Sequence, residues 1–279
     1  MYPLKSYSLR GKFSVNRPES TNSQGDRTLG AFFIQHYKDP HMQTTELDPT
    51  LSQTLIDGRK AGLTLVIGNK NYSSWSIRPW VAMTAFGIPF NEVRILLDKP
   101  DTATRIAEYT DSGRVPVLVA GEITIWDSVA ICEYLAEQFQ EKHMWPQDVA
   151  ARAMARSVTA EMHSGFSDLR NDMTMNIRQH LPGRGRTPGA LGDIGRICKI
   201  WEVCLSRFGH HQFLFGEFSI ADAFYAPVVM RFRTYGVSLA PALQAYCDRV
   251  AAHPAVARWI SEALAETETA DKHDQELPK

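Results

Sequence analysis

Between residues 63 and 140 the hydrophobic period keeps changing, and the order of the changes leaves few folds open. Residues 63–68 form a short apolar run of strand length. Residues 78–87 have helical spacing and end at Gly87, a residue suited to a helix stop. Residues 90–97 read as a second strand, and residues 101–109 as a short helix with Asp101 available as its cap. Two apolar runs, 117–120 and 123–126, flank Gly121-Glu122 and predict a β-hairpin. Residues 128–140 then read as a helix, because Ile131, Leu135 and Phe139 recur every fourth position.

Beyond residues 142–148, which carry Trp145-Pro146, strand patterning ends. Helices are predicted over 151–176, 191–208, 220–235, 240–252 and 255–264, with a Gly/Pro/Arg-rich loop at 181–189 and a charged tail at 266–279. The helix at 220–235 is apolar enough to be buried. A βαβ half followed by a ββα half is the thioredoxin-like order, with a mixed sheet. The predicted fold class is therefore α/β plus all-α. A thioredoxin-like βαβ-α-ββα domain spans 62–142, and a C-terminal helical bundle domain spans 149–265.

Composition narrows the partners. A formal net charge of -1 gives no electrostatic case for nucleic acid or an anionic membrane. No apolar stretch reaches the roughly 20 residues that a membrane helix needs. Cys132, Cys198, Cys204 and Cys247 include no C-x-x-C pair. They read as reduced core thiols of a cytoplasmic protein, forming neither a disulfide frame nor a metal site. Residues 1–60 are rich in Ser, Thr, Asn, Gln and Pro, lack periodicity, and are expected to be a disordered extension. Lys5, Arg10, Lys12 and Arg17 without an acid would suit a transit peptide, although no amphipathic face accompanies them. Met42 is an alternative start, and residues 29–34 are a short apolar patch that could dock on the body.

Three motifs carry chemistry. Asn69-Lys70-Asn71-Tyr72-Ser73-Ser74-Trp75-Ser76-Ile77-Arg78-Pro79 joins a strand to a helix. Its hydroxyls and the unpaired N–H groups of the helix start make an anion site. Arg114-Val115-Pro116 enters the next strand. The proline is either an ordinary strand-entry residue or a cis one, which would leave the Val115 N–H and C=O free for an extended peptide ligand. Asp127-Ser128 stands between hairpin and helix, where such a pair is an N-cap. The same pair can also hold an amino-acid head group, its carboxylate taking the ammonium while the hydroxyl and helix N–H groups take the α-carboxylate. In the predicted fold the three meet at one sheet edge. Together they offer places for a γ-glutamyl zwitterion, a cysteinyl backbone and a thiolate, which is the outline of glutathione.

With these residues the chain resembles the glutathione transferase superfamily. The match rests on Ser73-Ser74-Trp75-Ser76-Ile77-Arg78, Val115-Pro116, Asp127-Ser128-Val129-Ala130-Ile131 and Phe215-Gly216-Glu217-Phe218-Ser219-Ile220-Ala221-Asp222. In the last, Ser219 and Asp222 have the spacing of a reciprocal capping box. The serine-type run followed by Arg is most similar to the zeta class with maleylacetoacetate isomerase. Trp75 stands where that class often has cysteine, and Arg114 where Gln or Lys is more usual. The resemblance implies glutathione as co-substrate, no metal, a small electrophile as second substrate, and a homodimer. Arg114, Val115, Pro116, Asp127 and Ser128 would bind glutathione.

A free thiol titrates near 8.5, and lowering that by about two units takes ~3 kcal/mol of preferential thiolate binding. A hydroxyl donated to the ion supplies about 1.5–3 kcal/mol and a helix N-terminus about 0.3–1 more, so no general base is needed. Alignment on Arg78 makes Ser73 the thiolate donor, with Ser74 the close alternative and Ser76 the helix cap. Arg78 itself reads as a helix-surface charge or a domain-interface partner. Tyr72 and Trp75 would wall the near side of the substrate pocket, and Phe166 the far side, although Phe166 also reads as core. His163 and Arg170, on the helix 151–176, could meet a substrate carboxylate. The competing functional reading is a non-catalytic glutathione-transferase-like binding or regulatory module. Thiol–disulfide exchange would require a cysteine in residues 69–79, which hold none.

Overall fold

The computed structural model describes residues 62–210 and 212–270. The expected N-terminal extension with its candidate targeting segment, the 29–34 patch, Met42 and residues 271–279 of the tail lie outside the described residues. Strand β1 (Leu63–Ile67) sits in the middle of a four-stranded sheet of order β2-β1-β3-β4. β2 (Asn91–Arg94) runs parallel to it; β3 (Val117–Ala120) and β4 (Ile123–Trp126) complete an antiparallel hairpin beside it. The alternation of β1 assigns its faces. Leu63, Leu65 and Ile67 enter the main core, while Val66 joins Ile95, Ile106 and Val117 on the other side. The mixed sheet predicted from the element order is therefore present.

Two predicted elements are shorter than their hydrophobic runs. Residues 90–97 contribute only β2, because β1 ends at Ile67 and leaves nothing to pair with; the Ile95 N–H takes the Ile67 carbonyl at 2.8 Å as the last rung. Asp101 makes no side-chain cap for helix α2 (Thr102–Ala107). Thr102 does the local work, accepting the Lys99 N–H and donating to the Leu96 carbonyl. Helices α1 (Ile77–Ala85) and α3 (Ser128–Gln138) cover the sheet face that joins the main core.

The second half is helical throughout, with α4 (Val149–Ser164), α5 (Ser167–Asp172), α6 (Pro188–Cys204), α7 (Ile220–Tyr235), α8 (Pro241–Ala252) and α9 (Pro254–Ala265). α7 is its buried axis and has the predicted bounds. Its start is held by the Ser219/Asp222 capping box, and Gly236 in the left-handed region ends it. The Asp222 carboxylate also receives the Leu214 N–H and the Tyr246 hydroxyl. Burial nonetheless dominates and pushes its pKa up to about 6. The single helix predicted over 151–176 is broken. Phe166 takes a left-handed conformation between α4 and α5. Arg170 then folds back and donates to the Gly165 carbonyl at 2.9 Å and to the Met162 carbonyl, two of the acceptors that the end of α4 leaves open.

The halves share one hydrophobic core. α1 packs on α7 and α9, and Trp80 meets Trp259 edge-on at 5.2 Å. The charged tail expected from residue 266 is, over residues 266–270, packed against the body: Glu266 is 8% exposed and Ala270 is fully buried. Of the four cysteines, Cys132, Cys204 and Cys247 are buried, Cys198 is half-buried, and none is paired. Among the described residues no helix is long and apolar enough to cross a membrane.

Candidate active site

The first wall of the site is the junction between β1 and α1. Leu97 packs closely over Gly68 there, and a Cβ would lie 2.7 Å from its side chain and force it to shift. Asn69 Oδ1 accepts the Leu97 N–H at 2.8 Å and pins the loop to the segment that follows β2. The Lys70 and Asn71 N–H groups donate to the two oxygens of Glu266, at 2.7 and 2.9 Å. The Asn71 side chain pairs with Asn176 and receives the Arg178 N–H. Arg178 also donates to the buried Tyr72 hydroxyl at 2.7 Å.

The three serines of this loop have different partners. The Ser73 hydroxyl donates to Ser76 Oγ at 2.7 Å and accepts the Ser76 N–H at 3.4 Å. Ser76 Oγ also accepts the Gly68 N–H at 3.2 Å. Ser76 makes no side-chain cap on α1, contrary to expectation, because its oxygen is turned back toward the strand end. Ser74 Oγ accepts from Arg231 Nη2 at 3.2 Å.

The second wall is the corner between β4 and α3. Asp127 takes φ 77, ψ 133, a combination that L-residues seldom adopt. Its Oδ1 caps α3, accepting the Val129 N–H at 2.8 Å and the Ala130 N–H at 3.4 Å. Its Oδ2 lies 3.2 Å from His163 Nε2. One carboxylate thus caps the helix and also faces the cleft. Ser128, 1% exposed, accepts from Arg78 Nη1 at 3.4 Å. Between the walls, the Val115–Pro116 bond is cis. Among the described residues no hydrogen bond engages the Val115 N–H or C=O.

Two adjoining cavities occupy the space, of about 410 and 490 Å³, and Trp75, Arg114 and Val115 border both. The first also has Tyr72, Ser73, Ser74 and Arg170 on its walls, and the second Pro116, Asp127, Ser128 and His163. All the predicted site residues but one therefore line this cleft. The exception is Phe166, which is core: it is 7% exposed and borders neither cavity. His163 and Arg170, expected to act on the same substrate carboxylate, border different cavities. The two stay near each other, since Arg170 Nη2 donates to the His163 carbonyl at 3.4 Å and both approach the Trp75 ring, with His163 beside Asp127 and Arg170 beside the serine loop.

Cations dominate the electrostatics. Arg78, read from the sequence as a surface charge or an interface partner, is fully buried at the contact between halves. Its guanidinium lies 4.2 Å from the Trp75 ring centre and 4.8 Å from that of Phe224. Arg170 approaches the same Trp75 ring at 4.8 Å. Burial, then repulsion from Arg170 and Arg231, pulls the Arg78 pKa well below its usual value. Burial and Arg170 push Arg231 down to about 9. Among the described residues Arg78 Nε and Nη2 and Arg170 Nη1 have no hydrogen-bond partner. Burial also lowers the His163 pKa, with Asp127 opposing, so the imidazole is neutral at pH 7. Clustered buried cations with open donors fit an anionic guest.

Arg231 and Glu266 were not among the residues singled out from the sequence. Arg231 did carry a signal: it is a lone cation inside the apolar run Pro227-Val228-Val229-Met230-Arg231-Phe232 of a helix that reads as buried. Glu266 carried none, since it stands at the start of an acidic stretch that reads as solvated.

Comparison with known proteins accords with this geometry. The glutathione S-transferase N-terminal domain family matches residues 72–138, and the glutathione S-transferase C-terminal domain family matches residues 184–262. A probable maleylacetoacetate isomerase 2 of Drosophila melanogaster is 30% identical over 171 residues, covering 60% of this chain and 73% of its own. Glutathione S-transferase Z2 of Arabidopsis thaliana is 31% identical over 183 residues, covering 62% and 80%. A glutathione transferase homolog from Burkholderia GL BGR1, solved with bound glutathione, has the same fold, with a TM-score of 0.57 at 23% identity over 72% of this chain and 98% of that one. The chain belongs to the glutathione S-transferase family.

Proposed function

We propose that the chain binds glutathione across both cavities and activates its thiol for attack on a small electrophile. The observation that carries this reading is the convergence of three predicted motifs on one cleft: the serine loop, the open Val115 backbone and the Asp127-Ser128 corner. The γ-glutamyl group belongs in the cavity of Asp127 and Ser128, where the carboxylate takes the ammonium, and the Ser128 hydroxyl and N–H, the groups at the α3 start that Asp127 does not cap, take the α-carboxylate. Val115 pairs with the cysteinyl backbone, and Arg114, which borders both cavities, reaches the peptide's acidic groups. The thiol then lies at Ser73 and Ser74, in the cavity shared with Arg170.

Arg170 favours an electrophile that carries a carboxylate, which supports a maleylacetoacetate-type cis–trans isomerisation. In that reaction the thiolate adds to the alkene carbon and the electron pair moves to the conjugated carbonyl oxygen. Rotation follows about the new single bond, and return of the electron pair expels the thiolate unchanged. No metal enters this scheme. The open cysteines suit the reducing cytoplasm, and the exposed Trp126 on edge strand β4 suits a homodimer. Retention on immobilised glutathione, with assays on aryl halides, alkyl halides and a maleylacetone-like alkene, tests the reading. Isomerase or conjugating activity is expected. Retention without turnover on any electrophile would identify a binding module instead.

A further inference from the structure

We propose that the thiolate donor is Ser74, and that Arg231 is a positioning residue that turns the Ser74 proton toward the sulfur. This rests on the glutathione reading above and departs from the assignment to Ser73 made by alignment on Arg78. The argument is a count of protons. A serine hydroxyl has one proton to give. Ser73 gives its proton to Ser76 Oγ at 2.7 Å, and its lone pairs receive the Ser76 N–H. Its hydrogen bonds are used in closing the loop. Ser74 Oγ is only an acceptor, from Arg231 Nη2 at 3.2 Å, and its proton has no acceptor among the described residues. Ser74 borders the 410 Å³ cavity, so that proton is available to a guest.

Arg231 is held for this task. Its Nε donates to the Met173 carbonyl at 2.7 Å and its Nη1 to the Pro227 carbonyl at 3.4 Å, while the residue as a whole is 4% exposed. No carboxylate among the described residues pairs with it. The charged and titratable groups near it are Arg170 from α5, Arg78 from α1 and Tyr235 from its own helix. With its pKa held at about 9 it remains protonated at neutral pH. A cation donating to a hydroxyl oxygen directs that hydroxyl's own proton away from itself and strengthens it as a donor. The charge also favours the ionised sulfur directly. On ionisation the glutathione thiol releases its proton to water, and the S⁻ accepts the Ser74 O–H, which keeps its proton throughout.

The test is an ultraviolet thiolate titration of bound glutathione, with affinity measured separately by calorimetry. The variants are Ser73→Ala, Ser74→Ala, Arg231→Met and Arg231→Lys in the full chain. Ser74→Ala is expected to raise the bound thiol pKa by about two units and lower turnover at neutral pH ~100-fold, with affinity changed only a few-fold. Arg231→Met is expected to raise the pKa by about one unit, and Arg231→Lys, which keeps the charge, to recover at least about half of that. Ser73→Ala, which loosens the loop but removes no donor to the sulfur, is expected to raise it by less than half as much as Ser74→Ala does. A large shift in Ser73→Ala with none in Ser74→Ala would overturn the proposal. A Ser74→Ala shift with Arg231→Met unchanged would overturn the role of Arg231. If Arg231→Met does not fold, a thiol pKa in Arg231→Lys as high as in Ser74→Ala would overturn that role too. Absence of glutathione binding by the unmodified protein would instead remove the functional reading beneath the proposal.

Discussion

The two strand-to-helix junctions of the cleft use the same local device, a polar loop feeding a helix start, yet they are completed in opposite ways. At the β4–α3 corner the main bonds are short-range. Asp127 answers Val129 and Ala130 within the next turn, and among the described residues His163 and Arg78 reach in from elsewhere. At the β1–α1 junction the loop is answered largely from the other half of the chain, by Glu266, Asn176, Arg178 and Arg231. The first kind of junction is built with groups its own sequence supplies. The second has its chemistry assigned by the fold.

Substitutions should separate the two. The largest expected effect is at Glu266→Ala, which leaves the buried Lys70 and Asn71 N–H groups without an acceptor and Arg94 without its 2.8 Å partner. Orphaned buried donors of this kind cost about 1–3 kcal/mol each, so a loss of ~3 kcal/mol or more in unfolding free energy is expected, with activity falling in parallel. Chemical denaturation monitored by fluorescence reads it. A stability within about 0.5 kcal/mol of the parent, the range of ordinary surface changes, would show that residues 266–270 do not hold the loop.

Next comes Asp127→Ala. Here stability should fall by only about 1 kcal/mol, the usual worth of an N-cap, while glutathione affinity falls about tenfold or more. Calorimetric titration distinguishes the outcomes: an unaltered affinity would reduce Asp127 to a cap. Ser128→Ala should weaken glutathione a few-fold, about 1 kcal/mol, since it removes one hydroxyl but leaves the backbone N–H of residue 128 in place.

The smallest effect is pH-dependent. Burial holds the folded-state pKa of His163 below its usual value of 6.5. As pH falls through about 6.5 the unfolded chain takes up this proton first, so the associated stability is present above that pH and is lost on acidification toward the folded pKa. A melting series from pH 7.5 to 5 should therefore show a shallower acid decline in His163→Gln than in the parent, by under about 1 kcal/mol. A steeper decline would reverse the sign and place a charged His163 beside Asp127 in the native state.

Local rules accounted for most of the scaffold. The apolar alternation of β1, the Gly121-Glu122 turn of the hairpin, and the Ser219/Asp222 box with Gly236 closing α7 each act within a few residues, so patterning reveals them. Local rules failed where a side-chain partner outside the element's own pattern outweighed propensity. The helix expected over 151–176 breaks at Phe166, with Arg170 taking carbonyls at the end of α4, and Phe166 becomes core instead of pocket wall. Ser76 gives up its cap because Gly68 and Ser73 claim its oxygen. Arg78 looked like a solvated helix residue or an interface partner, and α7 turned it into a buried interface cation by closing over it with Phe224.

By itself, the sequence of this protein determined the element order, the mixed sheet followed by helices, and the residue types that line the proposed glutathione cleft. These follow from hydrophobic period, turn chemistry and capping, which are short-range. Only the tertiary structure decided which serine has a proton to spare. That depends on Ser76 three residues after Ser73 and on Arg231 far along the chain. Hydrogen-bond donors are shared out among neighbours in space, and two adjacent serines alike in sequence acquire different chemistry once their neighbours are set.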